Sequence, residues 1–513
     1  VLPLQLAVFS AVLVGLSFWL QGRIGLTYSD EGFLWYGAVR TLAGDSPILD
    51  FQSYDPGRYY WSAFWMTFLG ESMLALRGCV ALFQLLSVYC GLLALSRAHR
   101  SWRVFVPVGL LLIVWMSPRY YRLFEVGTSL IALYFAVLLI ERPSLRRHFV
   151  VGAFTGLAAF LGRNLGLYTA ASFGLLILFV WARVDKADWW KKTACWSLGI
   201  LAGYSPMLIM LVAVPGFYES IFASLMEMVD RGSTNIPLPI PWPWVANYSR
   251  LNLSNAAHAF SNGALFLWMP LFYLSLAFII ARTPSSQLRS RAVLIAGIAV
   301  GSMYMHYAYS RADLEHLLVP MPVLLVTMAA VPFDFGGGRY RVGQRLVLAS
   351  FAILTLLSAG LKSPLYLKAS TPAKDLVAYD VGGTNFWISA SGAKLIASVQ
   401  KIDEELIPKD EGLLIVPFWS AFYVMLERES PLRELYFTDQ QPEAHEHAAI
   451  ERLKQKRVNW VLLGNVSLQE NSFSRFRATH PLLFEHLRRD FVAVKVDGLR
   501  RSFSLLQRRV EID

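Results

Sequence analysis

Residues 1–32 read VLPLQLAVFSAVLVGLSFWLQGRIGLTYSDEG. The segment 3–21 is apolar and about long enough to cross a bilayer as one helix. Almost at once the stretch Thr27-Tyr28-Ser29-Asp30-Glu31-Gly32 sets two adjacent carboxylates beyond it. Ionisable groups at the edge of a hydrocarbon slab are costly unless they face water, a partner or a substrate, so Asp30 and Glu31 are the first candidates for chemistry. No small-residue cleavage site follows before Gly22-Arg23, so 3–21 reads as a retained anchor.

The rest of the chain continues in the same way. Hydrophobic residues make up 55% and charged residues 16%, against roughly 45–50% and 25% in soluble domains. This composition excludes an ordinary soluble enzyme and points to an α-helical polytopic membrane protein. Apolar runs lie near 3–21, 73–95, 104–118, 126–140, 149–162, 165–181, 193–214, 263–281, 292–309, 313–331 and 344–361, which gives about eleven spans, with 104–118 and 149–162 short.

Alternate loops are basic: Arg97, Arg100 and Arg103; Arg142, Arg146 and Arg147; Arg183, Lys186, Lys191 and Lys192; Arg282, Arg289 and Arg291; Arg339, Arg341 and Arg345. Short cytoplasmic loops are enriched in Lys and Arg, so these face inward. The loops holding Asp30 and Glu31, Arg119 to Glu125, Arg163-Asn164, 215–262 and Ser310 to His316 then face outward, with the C-terminal tail. The net charge of +11 reflects this topology and requires no nucleic-acid partner. Cys79, Cys90 and Cys195 fall inside predicted spans, where a thiol behaves as a small apolar group, and no disulfide framework is implied.

Beyond 362 the apolar runs shrink to strand length, as in Leu413 to Phe418 and Trp460 to Gly464, with helical patterns near 392–407 and 443–457 and late strand-like stretches at 491–498 and 502–507. The expected organisation is a transmembrane domain over 1–361 and an extracytoplasmic α/β domain over 362–513. The first outer loop, 22–72, carries two further amphipathic patterns, Glu31 to Ala43 and Tyr59 to Leu69, expected as helices lying in the membrane interface. Asp55-Pro56-Gly57-Arg58 is a turn between them.

This layout resembles the GT-C superfamily of integral membrane glycosyltransferases, which includes protein O-mannosyltransferases and the aminoarabinose transferase of lipid A. The shared features are a first span followed at once by an acidic motif, two juxtamembrane helices, about a dozen spans and a C-terminal outer domain. Asp30-Glu31 matches the family's first-loop Asp-Glu or single-Asp position, and Arg311-Ala312-Asp313-Leu314-Glu315-His316 is similar to a motif of bacterial members. The resemblance implies transfer of a sugar from a polyprenyl-phosphate carrier to a glycan, lipid or protein acceptor, with the active site and the C-terminal domain on the outer, periplasmic face of a bacterial inner or plasma membrane. Some relatives use divalent ions with paired acids. Here the acids are few and no His-rich or Cys-rich spacing occurs, so metal-independent transfer without a cofactor is expected.

Moving a sugar from a lipid phosphate to a hydroxyl needs a base for the hydroxyl and cations or hydrogen bonds for the departing phosphate. Asp30 is the first candidate for the base, Glu31 the second and Asp55 a rival or helper. Capping and dipole compensation at a helix start are the structural alternative for Asp30, and a plain turn for Asp55. Arg58, Arg163, Arg311 and His316 are candidates to hold the phosphate, since guanidinium forks fit its oxygens. Tyr59, Asn164, His306, Tyr307 and Asp313 are supporting candidates. For Arg58 and Arg163 the alternatives are interfacial anchoring and snorkelling. For Arg311 the alternative is an internally paired cluster with Asp313 and Glu315, and for Arg119-Tyr120-Tyr121-Arg122 it is headgroup contact.

The 215–262 loop holds Asp230, Arg231 and His258. Pro237, Pro239, Pro241 and Pro243 make a stiff segment of it, with Trp242 and Trp244 as groove or anchor. A transporter or flippase of lipid-linked sugars, and an oligosaccharide ligase, remain the rival classes. The concentration of charged groups at one outer face, instead of the midplane, speaks against transport.

Overall fold

The computed structural model describes residues 1–231, 238–331, 337–466, 475–496, 498–500 and 502–509, with side chains left aside at 227, 228, 230, 231 and 337–345. The chain forms two compact units. One comprises Val1–Gly22, Arg77–Pro215 and Glu227–Ser370, the other Arg23–Leu76, Gly216–Met226 and Thr371–Asp513.

The first unit is built of helices. Seven described helical segments are long and apolar enough to cross a membrane: Leu2–Gln21, Met73–Leu95, Tyr120–Glu141, Arg163–Arg183, Trp189–Ala213, Leu253–Ala281 and Ser285–Ser310. The pair Leu346–Lys362 and Pro364–Ser370, bent by 67°, makes an eighth if it counts as one span. The chain is therefore a multi-pass membrane protein; the expected count of eleven spans is not confirmed, seven or eight helices among the described residues being long and apolar enough to cross. Trp102–Met116 and Leu145–Leu161 are helical yet only 15 and 17 residues long.

The expected span 313–331 breaks down further. It is a four-residue turn of helix, Leu314–Leu317, followed by Met321–Ala329. A nine-residue helix rises only about 14 Å, and every residue of Met321–Ala329 is buried. The apolar run there marks a helix enclosed by its neighbours, a distinction that hydrophobicity alone does not make.

Large apolar side chains remain exposed along one face of Leu2–Gln21, at Leu4, Val8, Val12, Leu16 and Trp19, as expected of a helix solvated by lipid. By contrast Leu123–Glu141 is buried nearly throughout. Its Thr128 and Ser129 donate to the Phe124 and Val126 carbonyls, so no hydroxyl proton is wasted in an apolar setting. Helices Leu145–Leu161 and Trp189–Ala213 meet backbone to backbone through Gly152, Gly156, Gly199 and Gly203. A Cβ added at Gly203 would lie 1.9 Å from the Ala153 carbonyl oxygen. Two small-xxx-small repeats thus permit an approach that no larger residue allows. Arg77, buried inside Met73–Leu95, donates to the Gly22 carbonyl at 2.8 Å and stacks over Tyr120.

In the second unit the first-loop helices are Asp30–Leu42 and Gly57–Leu69. The C-terminal segment adds a hairpin of β1 (Leu376–Asp380) and β2 (Asn385–Ser389) and a four-stranded sheet. The sheet contains β3 (Gly412–Val416), β4 (Val458–Gly464), β5 (Phe491–Val494) and β6 (Phe503–Arg508) in the order β3-β4-β6-β5. The β3–β4 pair is parallel and the other pairs antiparallel. Helices Ala390–Glu405, Glu443–Gln455 and Pro481–Asp490 complete the α/β arrangement that the alternating patterns predict. Its core is apolar, with Leu414, Val416, Leu453, Val461, Leu483 and Phe491 all buried.

The expected division at 361/362 leaves the first loop with the spans, whereas contacts group 23–76 with the C-terminal sheet. The physical ties are specific. Gly25 and Trp387 exchange backbone bonds with each other's neighbourhood, Gly25 N donating to Trp387 O at 2.8 Å and Trp387 N to Arg23 O at 2.7 Å. Tyr28 stacks on Phe422 at 5.5 Å. Gly32 packs so closely on Ala421 that an added Cβ would lie 2.6 Å from the Ala421 Cβ.

Candidate functional site

Helix Asp30–Leu42 begins at the acidic motif itself. Ser29 is its N-cap residue but makes no side-chain cap bond, so Asp30 and Glu31 are the first two helical positions. Acids there complement the helix dipole. Successive helical residues point about 100° apart, and the two carboxylates meet different surroundings. Glu31 is 4% exposed, and its Oε2 lies 3.4 Å from the Thr27 amide. Asp30 is only half-buried and accepts at Oδ1 from the Tyr436 hydroxyl at 3.1 Å.

Burial and the nearby Asp30 charge push the Tyr436 phenol well above its ordinary range. It therefore stays protonated and donates. The Tyr436 ring meets Phe33 edge-on at 5.0 Å, and Phe33 in turn meets Tyr54 at 5.3 Å. Arg58 lies over Tyr54 at 4.5 Å. Asp55 and Arg58 are both buried, at 6% and 5% exposure, which does not fit a headgroup anchor for Arg58. Tyr59 is fully buried and its hydroxyl accepts from the Tyr54 amide at 3.1 Å, a structural part for the turn. Expected as a support, it is placed beneath the turn that carries Asp55 and Arg58.

In the helical unit a second cluster forms around the loop between helices Ala292–Ser310 and Leu314–Leu317. Asp313 caps the short helix, accepting from the His316 amide at 2.9 Å, and the same oxygen meets His316 Nδ1 at 2.7 Å. Its other oxygen accepts from Arg311 Nε at 2.8 Å. His316 stacks on Tyr307 with ring centroids 5.2 Å apart. Arg122 donates to the Tyr307 hydroxyl at 2.8 Å. Glu315 accepts from Arg119 Nε at 2.8 Å and from the Tyr121 hydroxyl at 2.6 Å.

The structure thus unites Arg311, Asp313, His316 and Tyr307 with Arg119, Tyr121 and Arg122, which the sequence separates by almost two hundred residues. The acids are internally paired, as one sequence reading holds, and three guanidinium groups share the cluster. No local pattern signals the Arg119–Glu315 link or the Asp30–Tyr436 link.

Arg163 and Asn164 begin helix Arg163–Arg183, after a break at Gly162 where the chain is extended. Arg163 is half-buried and Asn164 exposed. The interruption of the apolar run is therefore a tight turn between two helices. Further along that helix Tyr168 meets His306 Nδ1 at 3.0 Å, and Thr169 meets the Tyr304 hydroxyl at 3.0 Å.

His258 lies within the helix Leu253–Ala281. It is satisfied at both ring nitrogens, by the Ser358 carbonyl and by Asn262, and so reads as a packing residue. Trp242 and Trp244 stack at 5.6 Å, with Trp244 largely exposed. Pro239, Pro241 and Pro243 are described, whereas Pro237 and the side chains of Asp230 and Arg231 lie outside the described residues. Among the described residues no group of three or more His, Cys, Asp or Glu side chains is arranged to hold a metal ion.

No protein-family model matches the sequence, and no curated protein matches it. Solved structures do share its fold. ArnT from Cupriavidus metallidurans bound to undecaprenyl phosphate superposes with a TM-score of 0.55 at 15% identity, covering 99% of this chain and 98% of that one. The apo state of the same ArnT gives 0.56 at 15% identity over 98% and 97%. The oligosaccharyltransferase AglB from Archaeoglobus fulgidus, in complex with an inhibitory peptide and a dolichol-phosphate, gives 0.50 at 12% identity over 90% and 69%. ArnT and AglB are both members of the GT-C superfamily. The fold of this chain is accordingly ArnT-like: apolar spans, a helical first loop and a C-terminal sheet domain.

Proposed function

We propose that this protein is a membrane glycosyltransferase that moves a sugar from a polyprenyl-phosphate carrier to an acceptor on the extracytoplasmic face, with Asp30 as base. The observation that carries the reading is the pair of environments at the head of helix Asp30–Leu42. Glu31 is buried, while Asp30 is only partly buried, with one oxygen accepting from a phenol. The likeness in fold to an ArnT crystallised with undecaprenyl phosphate and to an oligosaccharyltransferase bound to dolichol-phosphate supports a lipid-phosphate donor. The alternation of basic loops supports the outer face.

In the proposed reaction the acceptor hydroxyl gives its proton to Asp30 as its oxygen bonds to the anomeric carbon. The bond from that carbon to the phosphate oxygen breaks, and its electron pair leaves with the lipid phosphate. A single displacement inverts the anomeric centre. The transition state is oxocarbenium-like, and a nearby carboxylate favours it. Arg163 and Arg311 suit the phosphate, with Arg58 and His316 beside them in role, because charge that develops on the leaving group is best met by preorganised cations. A positioned base contributes typically 10²–10⁴-fold. Glu31 and Asp55, enclosed as they are, act as supports.

The test is mass spectrometry of lipid-linked sugars and surface glycans in cells with and without the protein. Transfer predicts one accumulating lipid-linked sugar and one missing sugar on an envelope glycan, lipid or protein. Movement of a lipid-linked sugar across the membrane with every glycan linkage intact would contradict transfer and favour a flippase.

A further inference from the structure

His316 is 8% exposed, and its neighbours in the helical unit fix the ring on one face and at one edge. Tyr307, from helix Ala292–Ser310, stacks on the face with centroids 5.2 Å apart. At the edge, Asp313 Oδ1 lies 2.7 Å from Nδ1, and the same oxygen accepts from the His316 amide at 2.9 Å. A carboxylate only accepts, so Nδ1 carries the hydrogen. In the neutral ring Nε2 is then a bare lone pair, and among the described residues it has no hydrogen-bond partner. The charged groups that face the ring are Asp313 and Arg311 on its own loop and Arg122 from the turn Tyr120–Arg122. Glu315, on the same short helix, is held by Arg119 Nε and the Tyr121 hydroxyl.

We infer that His316 takes up a proton from solution when a lipid phosphate binds, and that the imidazolium then donates from Nε2 to a phosphate oxygen. This rests on the reading of the Arg311 cluster as the place of the donor phosphate. A phosphate oxygen is an acceptor and makes no bond to the lone pair of a neutral ring, so the contact forms only with the added proton. Without an anion, burial and the charges of Arg122 and Arg311 outweigh the pull of Asp313 and hold the imidazole below its ordinary value. A bound phosphate brings negative charge beside the ring and offsets those guanidinium groups. The sugar-bearing phosphodiester carries one negative charge, and the lipid phosphate it leaves behind carries up to two. The proton at His316 therefore follows the charge that the departing phosphate gains.

The test is hydrogen–deuterium exchange at the histidine ring C2 position, read by peptide mass spectrometry over a pH series. It uses the full-length protein in phosphatidylcholine nanodiscs, with and without undecaprenyl phosphate. The rate of this exchange follows the protonation of each ring, so it gives one titration midpoint per histidine. With undecaprenyl phosphate the His316 midpoint is expected to rise by about one pH unit. The midpoint of His258, satisfied at both ring nitrogens, should stay in place. Asp313→Asn keeps a capping residue on the short helix and removes the charge at Nδ1, so the rise should shrink. The ratio of wild-type to His316→Gln affinity for undecaprenyl phosphate should grow about tenfold between roughly pH 8.5 and 5.5. Titration of the lipid itself is common to both proteins and cancels.

An unmoved His316 midpoint, with undecaprenyl phosphate bound and that binding weakened in Arg311→Ala, overturns the inference and leaves the phosphate site standing. Binding that Arg311→Ala does not weaken removes the site reading itself, and the inference with it. An equal rise in nanodiscs of phosphatidylglycerol alone, whose headgroup is a diester of single charge, also overturns it.

Discussion

Arg119 Nε lies 2.8 Å from the Glu315 carboxylate, tying the start of one buried helix to the short helix Leu314–Leu317. Both partners are partly exposed, at 40% and 25% of their side chains, so solvent screening keeps the pair's own worth small. A double-mutant cycle of Arg119→Ala and Glu315→Gln on unfolding stability is expected to give a coupling of about 0.5–1 kcal/mol. A coupling near zero would mean that the contact orients nothing.

The guanidinium groups proposed to meet phosphate have a different expected weight. Arg311→Ala and Arg163→Ala each remove a guanidinium proposed to meet phosphate, and a hydrogen bond to a charged group is worth about 1.5–3 kcal/mol. Binding of polyprenyl phosphate to the purified protein should weaken roughly 10- to 150-fold in each variant. Lysine at these positions should restore only part of the affinity, since a point charge does not reproduce the two-pronged fork. Unchanged binding in both variants would move the phosphate site elsewhere.

Close packing between helices Leu145–Leu161 and Trp189–Ala213 gives a further prediction. At Gly203 a methyl group would enter the Ala153 carbonyl, and the two backbones must separate to admit it. Gly203→Val should destabilise the protein by about 2 kcal/mol or more, measured by thermal unfolding in detergent. Gly174 is the control, because a Cβ there meets nothing closer than 3.9 Å, and Gly174→Ala should leave the melting temperature almost unchanged.

The sheet domain supplies a pH dependence. Glu434 is buried between His445 and His480, whose Nε2 atoms lie 3.1 and 3.2 Å from the same carboxylate oxygen. Burial alone raises this carboxyl, but the hydrogen bonds and charges of the two histidines outweigh it and hold the group below its ordinary value of 4.5. With the folded value depressed, the unfolded chain binds the proton first as pH falls. The stabilisation is therefore fully present above about pH 4.5 and is lost as pH drops through the lower folded value. Hydrogen exchange of β3 and β4 should show protection falling below that pH in the wild type, and a shallower fall in Glu434→Gln. Glu434 stands two residues before Tyr436, so the same loss is expected to loosen the phenol on Asp30.

Much of the architecture was legible in residue patterns because membrane crossing and strand pairing are written in local periodicity. Segments such as 3–21, 73–95 and 193–214 became helices near their expected limits, and the strand-length runs at 413–418 and 460–464 became β3 and β4. The run 313–331 misled because a buried helix and a lipid-facing one have the same composition. The site was legible where its parts are neighbours in sequence: Arg311, Asp313 and His316 lie within one turn of chain and do pair. Tyr436 and Arg119 were not legible in their roles, because contacts between distant parts of a chain leave no periodic trace. Asp30 occupies the first helical turn, where an acid complements the dipole, and is still partly exposed, so position in the helix does not separate capping from chemistry.

The most direct measurement is transfer of lipid-linked sugar by the purified protein in proteoliposomes, comparing the wild type with Asp30→Asn once the donor is known from cells. The account predicts that Asp30→Asn folds, still binds polyprenyl phosphate, and loses transfer by about 10²–10⁴-fold. Transfer at the wild-type rate by folded Asp30→Asn would contradict it.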